Sequence, residues 1–87
     1  MPTSDPISQL VIAAFKECFP KEAINLESDF FDLGGDSLAL VSLCTSLEVT
    51  LGFEIAPSTL LYHPTVEELS DAVKALSKDF EELNSSN

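Results

Sequence analysis

The chain contains no arginine, one histidine, three glycines and two cysteines, and none of its apolar runs approaches the length that crosses a bilayer. Each shortage excludes something. Fifteen acids against four lysines give a formal net charge of −11, which repels nucleic-acid phosphates and anionic lipid alike. Two cysteines do not make a disulfide framework. Cys18 and Cys44 instead fall on apolar helical faces, where free buried thiols are expected. The one histidine, His63, stands beside Pro64 in a turn, so a serine–histidine–acid constellation has a single candidate base and little core around it for a substrate pocket. Met1 to Asp5 lack the basic and apolar stretches of a secretory signal, so a cytoplasmic location is expected.

What is present fits one small globule. The 87 residues are 45% apolar, enough for one compact domain spanning 1–87, with a core over about 5–83 and a polar tail at 84–87. A monomer is expected. The four lysines (Lys16, Lys21, Lys74, Lys78) lie toward the two ends, leaving ten acids and no base between Glu22 and Val73. Such a surface steers basic protein surfaces toward it, or simply keeps a small protein in solution.

Three helices announce themselves. Asp5-Pro6 reads as an N-cap followed by proline at the first helical position, and Ile7, Leu10, Val11, Ala14, Phe15 and Cys18 then share one face before Pro20 stops the helix. Lys21 to Gly35 has no period and reads as a long loop pinned to the core through Ile24, Leu26, Phe30, Phe31 and Leu33. Asp36 caps a second helix from about Ser37 to Leu51, which Gly52 ends. Its inward side carries Leu40, Leu43, Cys44, Leu47 and Leu51; its outward side carries Leu38, Val41, Ser42, Thr45 and Val49. Ile55 to Ser58 is a turn, with a short helical turn over Ser58 to Tyr62, where Tyr62 is expected to pack. Thr65 and Glu68 form a capping box for a last helix, reaching about Glu82, whose apolar residues are Val66, Leu69, Val73, Leu76, Phe80 and Leu83. No segment alternates as a strand does. The expected fold is all-α, a bundle of three main helices and one short one.

One stretch carries chemistry: Asp29-Phe30-Phe31-Asp32-Leu33-Gly34-Gly35-Asp36-Ser37-Leu38. It sets a serine in the first turn of a helix directly after two glycines and an aspartate. Glycine permits positive φ and close approach of another molecule to the backbone. A helix start offers unpaired N–H groups and the positive end of the dipole, which favour an attached phosphate. A serine there accepts a phosphodiester without burying charge. By local chemistry alone, the same residues also read as an ordinary turn and N-cap.

Leu33-Gly34-Gly35-Asp36-Ser37-Leu38 resembles the attachment motif of acyl and peptidyl carrier proteins, in which the serine bears 4′-phosphopantetheine. Asp29-Phe30-Phe31 is similar to the approach to that motif, and Leu60-Leu61-Tyr62-His63-Pro64-Thr65-Val66 is similar to the family's third helix and the start of its fourth. The likeness covers most of residues 5 to 80. It implies that Ser37 holds the arm covalently, with Asp36 and Gly35 beside it as cofactor-binding residues. It further implies that a phosphopantetheinyl transferase installs the arm from coenzyme A, and that acyl or aminoacyl groups ride on it as thioesters. The chain itself is then no enzyme. The expected partners are adenylation or acyl-loading enzymes and condensation or ketosynthase-type enzymes.

The second helix departs from the strongly acidic one typical of fatty-acid carriers. Glu48 is its only charge, and its outward side offers Leu38, Val41 and Val49 as partner-binding residues for apolar docking. This and the Gly-Gly-Asp-Ser form point toward carriers of nonribosomal peptide and polyketide pathways, here of freestanding type. The competing reading is a noncovalent acidic interaction module without a cofactor. Asp29, Asp32 and Asp36 lack the ligand spacing of a calcium loop, so no metal site is expected.

Overall fold

A computed structural model describes residues 5–85, with side chains placed through residue 79. Four helices follow one another: α1 (Pro6–Cys18), α2 (Ser37–Leu51), α3 (Pro57–Tyr62) and α4 (Val66–Ser85). α1 lies against both α2 and α4, and α3 touches α2 and α4. The fold is all-α, as the helical spacing of the apolar residues requires.

Local chemistry sets most boundaries. The Asp5 carboxylate accepts the Ile7 amide at 3.1 Å and the Ser8 hydroxyl at 3.1 Å, which fixes the start of α1. Gly52, at φ 84°, gives α2 its left-handed stop, and its amide donates to the Glu48 carbonyl at 2.8 Å. α3 begins at Pro57, one residue before the expected start, because proline at the first helical position sacrifices no hydrogen bond. At α4, the Glu68 amide donates to the Thr65 hydroxyl at 3.1 Å, and that hydroxyl donates on to the Glu68 carboxylate at 3.1 Å. The threonine half of the capping box is therefore present, while the glutamate turns to the hydroxyl. α4 continues to Ser85, three residues past Glu82. The side chains of Phe80 and Leu83, and residues 86 and 87, lie outside the described residues.

Phe15, Phe30, Leu43, Leu47, Ile55, Leu60, Leu69 and Val73 are fully buried and form the centre of the core. Phe30 comes from the long loop. Its ring meets Phe15 and Phe19 edge to face, with centroids 6.0 and 5.4 Å apart. Burying that ring contributes about 1.5–3 kcal/mol, and this pins the loop. Backbone bonds add to the hold. The Phe30 amide donates to the Pro64 carbonyl at 2.8 Å, and the Val66 and Glu67 amides donate to the Ser28 and Leu26 carbonyls, each at 3.0 Å. The long loop is thereby strapped to the start of α4, with Asp29 and Thr65 forming an isolated antiparallel bridge.

Two expectations about the core need correction. Phe31 is exposed, its ring resting edge-on against Phe30 at 5.3 Å, so Phe30 alone of the pair reaches the core. Cys44 is buried, but Cys18, at the end of α1, is only half-buried, its thiol 3.9 Å from the Ala39 carbonyl. Burial pushes both thiols above the ordinary cysteine range.

Lys74 on α4 pairs with Asp5 at the start of α1 and so joins the two helices. The Lys74 hydrogen bond holds the Asp5 carboxyl below its usual range, and the same bond raises Lys74. A depressed carboxyl pKa stabilises the fold while the group is ionised, so this contribution is complete above about pH 4 and is lost as acid titrates the folded carboxylate. Asparagine keeps the cap and removes the charge. Asp5→Asn is therefore expected to lower Tm at pH 7, the gap to the native chain closing as the pH falls through the depressed folded pKa. Thermal melts from pH 7 into that acid range check it, and a gap independent of pH would show that the Lys74 pairing is not its cause.

Candidate functional site

The site is built by the turn that delivers the chain into α2. Asp29 organises it: one carboxylate oxygen accepts the Phe31 amide at 2.8 Å and the Asp32 amide at 3.1 Å, and its carbonyl accepts Leu33 at 3.0 Å. The Gly34 amide then donates to the Phe31 carbonyl at 3.1 Å and that of Gly35 to the Phe30 carbonyl at 3.0 Å. Five residues are thus wound into a compact turn ahead of the helix.

The two glycines serve different ends. Gly34 has φ 97°, a conformation that side chains resist, and a Cβ there would meet nothing within 4 Å. Gly35 has no positive φ. A Cβ on Gly35 would stand 2.2 Å from Phe30 Cε2, so the ring fills the side on which a side chain would project. The positive φ that glycine permits is thus used at Gly34 and not at Gly35. At Gly35 the packing demand comes from the protein's own core.

Asp36 is extended and caps α2, its carboxylate accepting the Ala39 amide at 2.9 Å and its carbonyl the Leu40 amide at 2.8 Å. Ser37 follows as the first helical residue and is exposed. Because Asp36 performs the capping, the Ser37 hydroxyl has no part in it. The amides of Ser37 and Leu38 lie ahead of the first intrahelical bond, at the positive end of the helix dipole. An exposed hydroxyl, a close turn and an anion-favouring helix start fit a serine-linked phosphodiester that stays in water.

Around this point the outward side of α2 is apolar and hydroxylic. Leu38 is 81% exposed and Val49 80%, with Val41 also exposed. At 100° per residue Leu38 and Val49 lie on nearly the same line of the helix, about 16 Å apart, with the exposed Ser42 and Thr45 between them. α3 adds Leu61 and Tyr62, the latter 79% exposed and not packed as expected. In a six-residue helix one face suffices to bury Leu60, so the residues after it turn outward. That signal was readable in the sequence.

His63 lines an open cleft of about 330 Å³ between α3 and α4, together with Ser58, Thr59, Tyr62 and Leu76; Ser37 does not line it. Asp29 and Asp36 are occupied by turn and cap. Among the described residues no group of three or more His, Cys, Asp or Glu side chains is placed to hold a metal ion.

Residues 6–73 match the family of phosphopantetheine attachment sites. The chain belongs to that family, whose members carry a covalently attached 4′-phosphopantetheine, and that arm is its cofactor. It is 31% identical over 74 residues to a linear gramicidin synthase of Brevibacillus parabrevis, a match covering 85% of this chain and 2% of the synthase. The chain thus spans a small fraction of that relative's length. Among solved structures it is similar to a type-II acyl-carrier-protein from Streptomyces verticillus involved in bleomycin biosynthesis, with TM-score 0.76, 24% identity, 80% of this chain and 84% of that one covered. A nonribosomal PCP domain superposes with TM-score 0.69 at 25% identity, covering 82% and 92% of the two chains. Among the described residues no helix is long and apolar enough to cross a membrane.

Proposed function

We propose that Ser37 is the residue bearing the arm, and that the chain is a monomeric, noncatalytic carrier that presents acyl or aminoacyl groups to separate enzymes of a nonribosomal peptide or polyketide-type pathway in the cytoplasm. The observation that carries this reading is the exposed Ser37 in the first turn of α2, released from capping by Asp36. A phosphopantetheinyl transferase reaches its hydroxyl without opening the core. Ser37 Oγ loses its proton and bonds to the phosphorus nearest the pantetheine in coenzyme A, and the adenosine bisphosphate portion leaves. When attached, the arm supplies a terminal thiol that holds cargo as a thioester at high effective concentration for each partner.

The rest of the chain contributes position and surface. The Asp29 turn and the Phe30 anchor hold the serine at a fixed place, which supports productive encounter with a transferase or a loading enzyme. Leu38, Val41 and Val49 give those partners apolar contact, and the acids of the preceding loop orient them through long-range attraction. Adenylation or acyl-loading enzymes and condensation or ketosynthase-type enzymes are the partners this reading requires.

Incubation with coenzyme A and a broad-specificity transferase tests it. Intact mass is expected to rise by one phosphopantetheinyl group. An unmodified chain, beside a control carrier that is fully modified, would favour a noncovalent acidic interaction module instead.

Docking is tested separately. Leu38→Glu and Val41→Glu are each expected to lower kcat/KM for arm attachment about tenfold, the scale of a lost apolar anchor. Both positions are exposed, so stability should stay within about 0.5 kcal/mol of native. Attachment kinetics and a melting curve for each variant check this, and native kinetics in both would remove these residues from the docking surface.

A further inference from the structure

Glu48 is the only charge in α2, and an acidic residue on that helix invites assignment as a contact for a basic partner. Its geometry says otherwise. The Glu48 side chain is half-buried, and its Oε2 accepts the amide of Ile55 at 2.9 Å, seven residues on. Its own carbonyl accepts the Gly52 amide at 2.8 Å. One residue therefore ends α2 with its backbone and grips the following loop with its side chain. A carboxylate in this part of a helix faces the negative end of the dipole, an unfavourable place unless a donor meets it. The Ile55 amide is that donor, and a bond to an ionised acceptor is among the stronger neutral-donor bonds.

The segment it grips needs holding. α3 has six residues, far below the length at which a helix persists without tertiary support. Its N-cap position is Ala56, which offers no side-chain acceptor. Its placement rests on the burial of Ile55 and Leu60 and on the Glu48 grip at its entrance. α3, packed against both α2 and α4, in turn exposes Leu61 and Tyr62.

We propose that Glu48 is a positioning residue: acting through Ile55, it sets the place of α3, and it is not a docking charge. Its functional consequence rests on the proposed docking of partners at α2, with α3, which packs against α2, taken as part of that surface. With Glu48 turned to the loop, the outward side of α2 presents no exposed ionised group, and partner contact with that helix is apolar.

Two substitutions separate reach from charge. Glu48→Gln keeps the length and an acceptor oxygen but loses the charge. Glu48→Asp keeps the charge but is one methylene short, and Glu48→Ala removes both. Hydrogen exchange at the Ile55 amide is measured in the full unmodified chain, and then KM and kcat for arm attachment with the broad-specificity transferase and coenzyme A as the probe. Asp and Ala are expected to exchange about tenfold faster at Ile55, with Gln within about threefold of native. KM for attachment should follow the same order, rising about fivefold for Asp and Ala with kcat nearly unchanged. Native behaviour in Asp with loss in Gln would identify a docking charge and overturn the proposal. Unchanged Ile55 exchange in Ala would overturn it as well. If exchange follows reach while attachment is equal in all four chains, the brace stands and the α2–α3 docking surface falls. A native chain that takes up no arm defeats the carrier assignment of Ser37, and the exchange data still decide the brace.

Discussion

Ser37→Ala is expected to take up no phosphopantetheine under conditions that modify the native chain completely, while melting at the native temperature. The two halves of that result have separate causes. Attachment needs an oxygen nucleophile at the start of α2, and Ser37 is the exposed hydroxyl there; alanine supplies none. Stability is spared because Ser37 is not the cap. Asp36 holds the Ala39 amide at 2.9 Å, and its carbonyl holds Leu40, so the end of α2 closes identically in the variant. Alanine is also at least as good a helix former as serine, and the position is open to solvent, so Tm should move by no more than about 3 °C in either direction. The change in phosphopantetheine uptake is total by comparison. Intact mass measures the first half and a thermal melt the second. Full modification of Ser37→Ala would show that another hydroxyl bears the arm. A large fall in Tm would show that the serine has a structural duty that its exposure conceals.

The elements set by neighbouring residues were legible in the sequence. Asp5-Pro6, Asp36 and Gly52 each act within a turn of themselves, and the helices they bound have the expected limits. The periodic apolar residues Val11, Phe15, Leu43, Leu47, Leu69 and Val73 are buried for the same reason. What escaped depends on contacts across the fold. Pro57 reads equally as a turn residue or a helix start, and α2 and α4 packing on α3 decides for helix. The bond from Glu48 to Ile55 spans a loop whose path no local pattern dictates. At the site, the serine, its capping aspartate and the Phe30 anchor were visible, whereas the turn ordered by the Asp29 carboxylate was not.

Gly35 shows how much of the site depends on such a contact, and Gly35→Ala is the second substitution from which a large effect is expected. A Cβ there would lie 2.2, 2.4 and 2.6 Å from three carbons of the Phe30 ring, distances at which one group must move. The ring has little freedom to retreat. It is fully buried and held edge-on between Phe15 and Phe19, while its backbone amide and carbonyl bond Pro64 and Gly35. Overpacking of this kind costs about 1–3 kcal/mol, which in a chain of this size lowers Tm by several degrees to roughly 20 °C. Relief through the backbone would shift the turn and with it Ser37, so arm attachment should slow as well. Gly34→Ala is the control. It meets nothing within 4 Å and carries only the strain of its positive φ, about 1–2 kcal/mol. Phe30→Leu combined with Gly35→Ala should be less destabilised than the two single losses added together, because the smaller side chain yields the space that the methyl needs. Melting temperatures and attachment rates for the four variants decide the matter. If Gly35→Ala is no worse than Gly34→Ala, or if the double variant shows simple additivity, the Phe30 contact is not what makes position 35 a glycine.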